Sequence, residues 1–435
     1  MSLTGYGIVG IALLLLLLMA SMPVAFSMMG IGLAGFAWVT SKNAAFTMLA
    51  SDLIDTFSST SLVVIPLFVL MGQVAFHSGI SKRLFRSAYQ WIGSLPGGLA
   101  MATVVACALF GTICGSGPAT AATMSAVALP EMRRYKYNDA LASGTVASAG
   151  GLGMMIPPSV VFIVYGILTQ QSIGKLFIAG IFPGVFVALL FCISIYIRCL
   201  KNPDLGPAGP KTGLREKLIS LGGVIETLIL FLIVMVGIFL GFFTPTEGAG
   251  IGAGGTILLS VILRQITWNG FVRALMETIR TSCMILIIVT GAVILGRFFA
   301  ITRLPMTIAN GLIGLPLPNW GICLLVLIFY MVGGCFIDAL ALILLTIPIF
   351  YPVIQQLGYD PIWFGVMIVL LTQIGVISPP VGINVYVVSG MERDLPLSTV
   401  FRGSIPFLWI LVIVSILFLF IPNLILFFPN WLSTV

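Results

Sequence analysis

Two stretches of this chain carry the same glycine and proline marks at a fixed spacing of 222 residues, inside sequence that is otherwise hydrophobic. The register is set by the two Pro-Pro pairs, Pro157-Pro158 and Pro379-Pro380, and it also aligns Pro96 with Pro318, Gly111 with Gly333, Ala119 with Ala341, Pro130 with Pro352, Tyr137 with Tyr359 and Gly153 with Gly375. Apolar residues coincide by chance in a chain of this kind. Glycine and proline report backbone conformation instead, so the shared marks place helix interruptions at equivalent points of two halves. Irregular backbone at membrane depth is tolerated only where protein or a water-lined cavity surrounds it, and paired interruptions in two halves point to the binding site of a carrier.

With 59% hydrophobic and 8% charged residues, and apolar runs long enough to cross a bilayer, the chain reads as an all-α polytopic membrane protein. Expected spans are 5–21, 23–40, 61–77, 141–169, 176–198, 222–243, 248–264, 282–300, 362–391 and 405–428. The first run, Ile8 to Ala20, has no basic flank before it and reads as a retained span, not a cleaved signal. The net charge of +7 comes from basic residues clustered between spans, the pattern of cytoplasmic loops and not of a nucleic-acid binder. Seven cysteines show no metal-ligand spacing, and their odd number argues against a disulfide framework. His77, the one histidine, ends an apolar run and reads as an interfacial residue.

Loop charge then orients the halves. Between Arg86 and Glu131 lie 44 uncharged residues, interrupted at Cys114-Gly115-Ser116-Gly117-Pro118 and flanked by Lys82/Arg83/Arg86 and Arg133/Arg134/Lys136. Both ends therefore face the cytoplasm, as a helix pair or a re-entrant hairpin would require. The matching region between Arg303 and Glu392 contains Asp338 and Asp360 and no basic residue, so its ends should face outward. The expected organisation is N-terminal scaffold spans over 1–80, a first repeat core with hairpin 1 and a broken helix over 81–198, and a cytoplasmic linker over 199–221. Second-half scaffold spans follow over 222–303, a second core with hairpin 2 and a broken helix over 304–402, and a C-terminal span over 403–435.

Three segments carry candidate chemistry. At the first turn, carbonyls released by the glycines and the hydroxyls of Thr112 and Ser116 suit a hard cation, while the following helix N-terminus favours an anion; a close-packed glycine-serine helix crossing is the simpler alternative. The second segment runs from Gly150-Gly151 through Pro157-Pro158-Ser159, with a counterpart that adds Gln373, Ser378 and Asn384; a plain proline kink is the alternative there. The third is Gly333-Gly334-Cys335-Phe336-Ile337-Asp338, in which Asp338 stands opposite Ser116. An acid in such a run costs ~2.5–3.5 kcal/mol on insertion scales, which makes it a functional candidate beside the alternative of a helix cap. Arg297 suggests attraction of an anion or snorkelling, and Glu247 a structural acid at a helix start.

At these residues the chain resembles the large membrane subunit of TRAP (tripartite ATP-independent periplasmic) transporters, the DctM-like family. The likeness runs through Ile65-Pro66-Leu67-Phe68, Leu95-Pro96-Gly97-Gly98, Ala128-Leu129-Pro130-Glu131, Ile156-Pro157-Pro158-Ser159, Phe243-Thr244-Pro245-Thr246-Glu247 and Ser378-Pro379-Pro380-Val381-Gly382. The resemblance implies an elevator-type fold of inverted repeats with two re-entrant hairpins and discontinuous helices. It further implies Na+-coupled import of a small organic anion, a carboxylate or a sulfonate, through the bacterial inner membrane. The implied partners are a small four-helix DctQ-like membrane subunit and a periplasmic DctP-like binding protein. By position, one sodium site falls to Cys114, Gly115, Ser116, Gly150 and Gly151, and the other to Gly333, Gly334, Asp338, Ser378, Pro379 and Gly382. Thr112, Ser159, Gln373 and Asn384 are the candidate substrate contacts. Many relatives have serine in place of Cys114, and a cysteine sulfur is a poor Na+ ligand.

The alternative within this superfamily is a stand-alone anion transporter that works without a binding protein. An intramembrane enzyme would need a convergent nucleophile and base, for which one histidine and few acids leave little material. A channel would conduct without saturation. No Gly-x-x-x-x-Gly-Lys-Ser/Thr loop is present to bind ATP phosphates.

Overall fold

The two Pro-Pro pairs break two helices in the same manner. In a computed structural model describing residues 2–210, 212–222, 224–392 and 394–432, the first break separates Asp139–Gly150 and Leu152–Met155 from Val160–Thr169, and the second separates Pro361–Gly375 from Ile383–Met391. Both Pro-Pro bonds are cis. Each broken helix begins with the same cap: Asn138 Oδ1 accepts from the amides of Ala140 and Leu141 at 3.0 and 3.3 Å, and Asp360 Oδ1 accepts from those of Ile362 and Trp363 at 2.7 and 3.1 Å. All three residues of one cap are displaced by 222 from those of the other. The repeat thus extends to individual hydrogen bonds.

Each broken helix is preceded by a helical hairpin. Gly98–Cys114 and Gly117–Arg134 form the first, turning at Gly115 with φ +65°; Asn319–Gly334 and Ala339–Gln356 form the second. Glycine sets how closely hairpin and broken helix approach. A Cβ on Gly111 would lie 2.5 Å from Gly153 Cα, and one on Gly375 would run into the backbone of Gly334, so both contacts are backbone against backbone.

Two bonds give the relative direction of the broken helices. The Tyr165 hydroxyl, late in the first, donates to the Pro361 carbonyl that starts the second at 2.6 Å, and Asn384 Nδ2, late in the second, donates to Ala147 O, early in the first, at 2.9 Å. They therefore run antiparallel, as inverted repeats require. This core is fully buried around Tyr165, Trp363 and Phe364.

Among the described residues, six helical stretches are long and apolar enough to cross a membrane, and no strand is present. The chain is an all-α, multi-pass membrane protein. Several boundaries differ from expectation. The span expected at 282–300 begins at Trp268 and runs 34 residues to Ile301, ~51 Å at a helical rise and well beyond a ~30 Å hydrocarbon core. Arg273 and Arg280, expected in a loop, are part of it. The stretch 405–428 divides into Leu397–Phe420 and Asn423–Leu432 at Pro422. Helices Lys42–Phe57, Ile80–Ile92, Leu214–Gly222 and Leu304–Ile313 were not expected, the first three because their charges remove them from a search for continuous apolar runs. Positions 433–435 of the expected C-terminal segment, Lys211 of the linker, and Gly223 and Arg393 lie outside the described residues.

The linker is stitched to the mouth of the first hairpin. Gly97 N donates to Gly206 O at 2.9 Å, Asn138 N to Leu205 O at 3.0 Å and Gly209 N to Gly93 O at 2.8 Å. The Tyr137 hydroxyl accepts from Leu99 N at 3.1 Å and donates to Pro207 O at 3.0 Å. Burial pushes its pKa up to about 12, which keeps the donating proton in place.

Candidate functional site

Both hairpin tips open on one cavity of about 290 Å³. Cys114, Gly115, Ser116 and Asp338 line it, so four of the proposed sodium ligands, drawn from both halves, meet there. The remaining walls come from Met154, Val160 and Val161 of the first broken helix and from two scaffold helices, Val64–His77 and Trp268–Ile301. Asp338 is the one charged side chain in the wall, and no lysine, arginine or histidine takes part among the described residues.

The two tips present different chemistry. Ser116 occupies the N-cap position of Gly117–Arg134, yet its side chain makes no capping bond; its carbonyl accepts instead from Thr120 N at 3.0 Å and Thr120 Oγ1 at 2.7 Å. That helix N-terminus therefore faces the cavity without a side-chain acceptor, which leaves it attractive to an anion. Asp338 does cap its helix, accepting from Leu340 N at 3.1 Å, while lining the same cavity. The capping alternative for Asp338 is thus observed, and it coexists with a position facing the cavity.

The other proposed sodium ligands do not line this cavity, and Pro379 among them is exposed. Gly150 packs on Ala121, where an added Cβ would sit 2.7 Å from the Ala121 Cβ, and Gly151 faces Gln373 of the other broken helix. A Cβ on Gly115 would lie 3.0 Å from Pro158 O, so this tip touches the first Pro-Pro break. In the second half, Gly334 packs on Thr372 and Gly375, and the Gly333 carbonyl accepts from both Phe336 N and Ile337 N at 3.0 Å. Those two bonds engage both its lone pairs. The Ser378 hydroxyl donates to Ile374 O at 2.7 Å, and Gly382, at φ +61°, stands over Ser378 O just beyond the cis Pro379-Pro380 bond.

None of the four candidate substrate contacts lines this cavity. Thr112 is buried and donates to Leu109 O at 2.7 Å. Ser159, Gln373 and Asn384 are fully buried, and Ser159 Oγ, both amide atoms of Gln373 and Asn384 Oδ1 have no protein partner. Two polar residues not anticipated from sequence do line it, Gln73 and Thr281, together with Met154 of the second candidate segment. Gln73 was legible in principle, as the one carboxamide in the apolar run 62–76. Thr281 gave no such signal.

The scaffold meets the first tip through glycine. A Cβ on Gly72 would lie 2.9 Å from Cys114 Cα and 3.1 Å from Ile113 O. Among the described residues, no hydrogen bond or ion pair joins Val64–His77, Pro245–Ile262 or Trp268–Ile301 to either hairpin or broken helix. Several charged groups of the scaffold are paired within it. Arg297 donates to the buried Asp52 at 3.0 Å while its own side chain stays largely exposed, and His77 meets Glu277 at 3.2 Å. Glu247 forms a capping box with Thr244, the structural acid expected there.

A family described as "Tripartite ATP-independent periplasmic transporter, DctM component" matches residues 11–424. The C4-dicarboxylate TRAP transporter large permease protein DctM of Pseudomonas aeruginosa is 36% identical over 386 residues, covering 88% of this chain and 90% of that protein. The sialic acid TRAP transporter large permease protein SiaM of Vibrio cholerae is 34% identical, covering 95% and 96%. Among solved structures, the YdaH transporter of Alcanivorax borkumensis superposes with a TM-score of 0.60 at 16% identity over 87% of this chain and 88% of that one, a likeness of fold.

Proposed function

The chain belongs to the DctM component family of tripartite ATP-independent periplasmic transporters, and from that premise we propose that it is the large transmembrane subunit of a Na+-coupled importer of a small organic anion, a carboxylate or a sulfonate. A periplasmic binding protein delivers the anion, a small four-helix membrane subunit completes the complex, and the assembly works in the bacterial inner membrane. The relatives named for C4-dicarboxylate and sialic acid both act on carboxylates, which favours that class.

The observation that carries the reading is the composition of the cavity wall. An anion there meets no basic side chain, and one carboxylate, Asp338, repels it. Taking a carboxylate out of water without compensation costs several kcal/mol. Compensation is available from the uncapped N-terminus of Gly117–Arg134 and from Na+. The residues present fit such an ion: the Ser116 hydroxyl has no protein partner, the Asp338 carboxylate faces the same space, and glycine backbones stand around both tips. Na+ supplies positive charge that this chain's own side chains do not. Cys114, Gly115, Ser116, Gly150 and Gly151 would hold one ion, and Gly334, Asp338, Ser378, Pro379 and Gly382 another, with Gly333 confined to shaping the backbone while its carbonyl is doubly occupied.

The contacts support an elevator movement. Hairpins and broken helices form one body held together by glycine close approach and hydrogen bonds, whereas among the described residues no hydrogen bond or ion pair ties it to the scaffold helices Val64–His77, Pro245–Ile262 and Trp268–Ile301. Such a boundary can slide with little loss of polar bonding, as an elevator mechanism requires. In proteoliposomes containing both membrane subunits and the binding protein, an inward Na+ gradient should drive uptake. Equal uptake with and without the gradient would overturn coupling, and uptake without the binding protein would favour the stand-alone alternative.

A further inference from the structure

The transport reading leaves unused a groove of about 600 Å³ on the side that loop charge assigns to the cytoplasm, between helix Ile80–Ile92 and the linker helix Leu214–Gly222. Ile80–Ile92 buries Leu84, Phe85 and Ala88 and presents Arg83, Arg86 and Gln90 to the groove. The linker helix supplies Glu216, Ile219 and Ser220 from the other side. The walls are held together independently of any ligand: Thr212 Oγ1 donates to Gln90 O at 2.6 Å, the Ser87 and Ser220 hydroxyls meet at 3.4 Å, and Lys217 Nζ stands 5.8 Å from the Trp91 ring centre.

Three features of the groove are unmatched within the protein. Arg86 and Glu216 line it together, yet neither forms an ion pair among the described residues. Gln90 Oε1 is buried and accepts no hydrogen bond. Leu214, Leu218 and Ile219 are 72, 57 and 66% exposed on the linker helix, and Ile219 is itself part of the groove wall. An amphipathic helix with exposed aliphatic residues beside basic ones lies at the membrane interface, with its apolar side in the acyl region. Trp91, 41% exposed, suits the same depth.

We infer that this groove binds a phospholipid whose headgroup carries a primary ammonium, of the phosphatidylethanolamine class. Its phosphate lies beside Arg86, its ammonium donates to Glu216 and Gln90, and its acyl chains run along Leu214, Leu218 and Ile219; Arg83, on the same wall, is engaged within the protein, donating to Ser78 O at 3.2 Å and Gln265 Oε1 at 2.7 Å. A basic pocket at the cytoplasmic face is a general site for lipid phosphate. Glu216 and the Gln90 oxygen select the headgroup: a primary ammonium brings both N–H donors and the positive charge that offsets Glu216, whereas the hydroxyls of a glycerol headgroup donate without that charge and a quaternary choline has the charge but no N–H to give.

The test is lipid retention by the purified complex. The two membrane subunits are incubated with equal amounts of phosphatidylethanolamine, phosphatidylglycerol and phosphatidylcholine, and retained lipid is quantified by mass spectrometry after detergent exchange. Wild type should retain the ethanolamine lipid preferentially. Arg86→Gln should lower retention of all three by about two- to fivefold, the scale of one exposed charge pair, and Glu216→Gln should abolish the preference for ethanolamine over glycerol. Both residues are solvent-exposed, so neither change should disturb folding. Equal retention of the three lipids by wild type, or unaltered retention in both variants, would overturn the assignment. So would full displacement by soluble O-phosphoethanolamine, which would make the ligand a free phosphoester and not a lipid.

Discussion

Gly151 and Gln373, equivalent residues of the two halves, pack directly on each other where the broken helices cross: a Cβ on Gly151 would lie 2.5 Å from Gln373 Cγ and 2.9 Å from its Nε2. A contact between repeat-related positions marks the pseudo-twofold axis of the inverted repeat. One half contributes the smallest residue and the other a long amide, so the axis is symmetric in backbone and asymmetric in side chains.

That contact predicts a coupling. Gly151→Ala forces Gln373, fully buried, to move, and overpacking of this kind costs about 1–3 kcal/mol. In a Gln373→Ala background the added methyl has room, and most of the cost should disappear. Thermal unfolding of the four members of the cycle measures it. Additive losses would mean that the two side chains do not meet.

Asp338 both caps a helix and lines the cavity, and one substitution separates the two roles. Asparagine caps about as well as aspartate, so Asp338→Asn should change stability by less than about 0.5 kcal/mol. It removes the charge, and Na+ activation of uptake should then require a higher Na+ concentration. Ser116→Ala, which loses no capping bond, should act in the same direction. Wild-type Na+ titration curves for both variants would confine Asp338 to capping.

Gly72 sets how closely the scaffold approaches the first hairpin tip. Any side chain there meets the backbone of Ile113 and Cys114, which cannot rotate away, so Gly72→Val should reduce uptake much more than it reduces the amount of folded protein. Gly30, with nothing within 4 Å of an added Cβ, is the control, and Gly30→Ala should transport normally. Undiminished uptake by Gly72→Val would show that the tip and the scaffold are not closely apposed during transport.

The Arg297–Asp52 pair is unequal, with side-chain exposures of 57% and 2%. Removing the arginine strands a buried carboxylate, whereas neutralising the acid leaves an arginine that water can solvate. Arg297→Met should therefore destabilise more than Asp52→Asn, by about 1–2 kcal/mol once exposure of the arginine is discounted. The reverse order in thermal unfolding would place the driving term elsewhere.

How much of this was legible in the sequence depended on which backbone groups carried the signal. Glycine and proline at 222-residue spacing identified both hairpins and both breaks, because those residues dictate conformation regardless of context. Helix Ile80–Ile92 was not legible as a helix of the fold, since its charges resemble those of a loop until its apolar face is docked. Gln373 and Asn384 illustrate the converse. Polar residues beside a break suggest contact with substrate, but direction along a helix decides which way they face, and these two turn toward the other broken helix and not toward the cavity. The scaffold wall, Gln73 and Thr281, depends on packing between segments about 200 residues apart, which no local pattern encodes.

The inverted arrangement makes a last prediction that needs neither substrate nor sodium. Arg134 and Gln356 are exposed residues related by the 222-residue offset, each at the end of the second helix of its hairpin. Parallel repeats would place them on the same face of the membrane, whereas antiparallel broken helices, tied through Tyr165 to Pro361 and Asn384 to Ala147, place them on opposite faces. Basic residues around Arg134 assign it to the cytoplasm. In a Cys283→Ser background, which removes the exposed native thiol, Gln356→Cys should react with a membrane-impermeant maleimide added to intact spheroplasts. Arg134→Cys should react only after the membrane is opened. Labelling of both from outside would contradict the opposed hairpins, and with them the shared cavity reached from two sides.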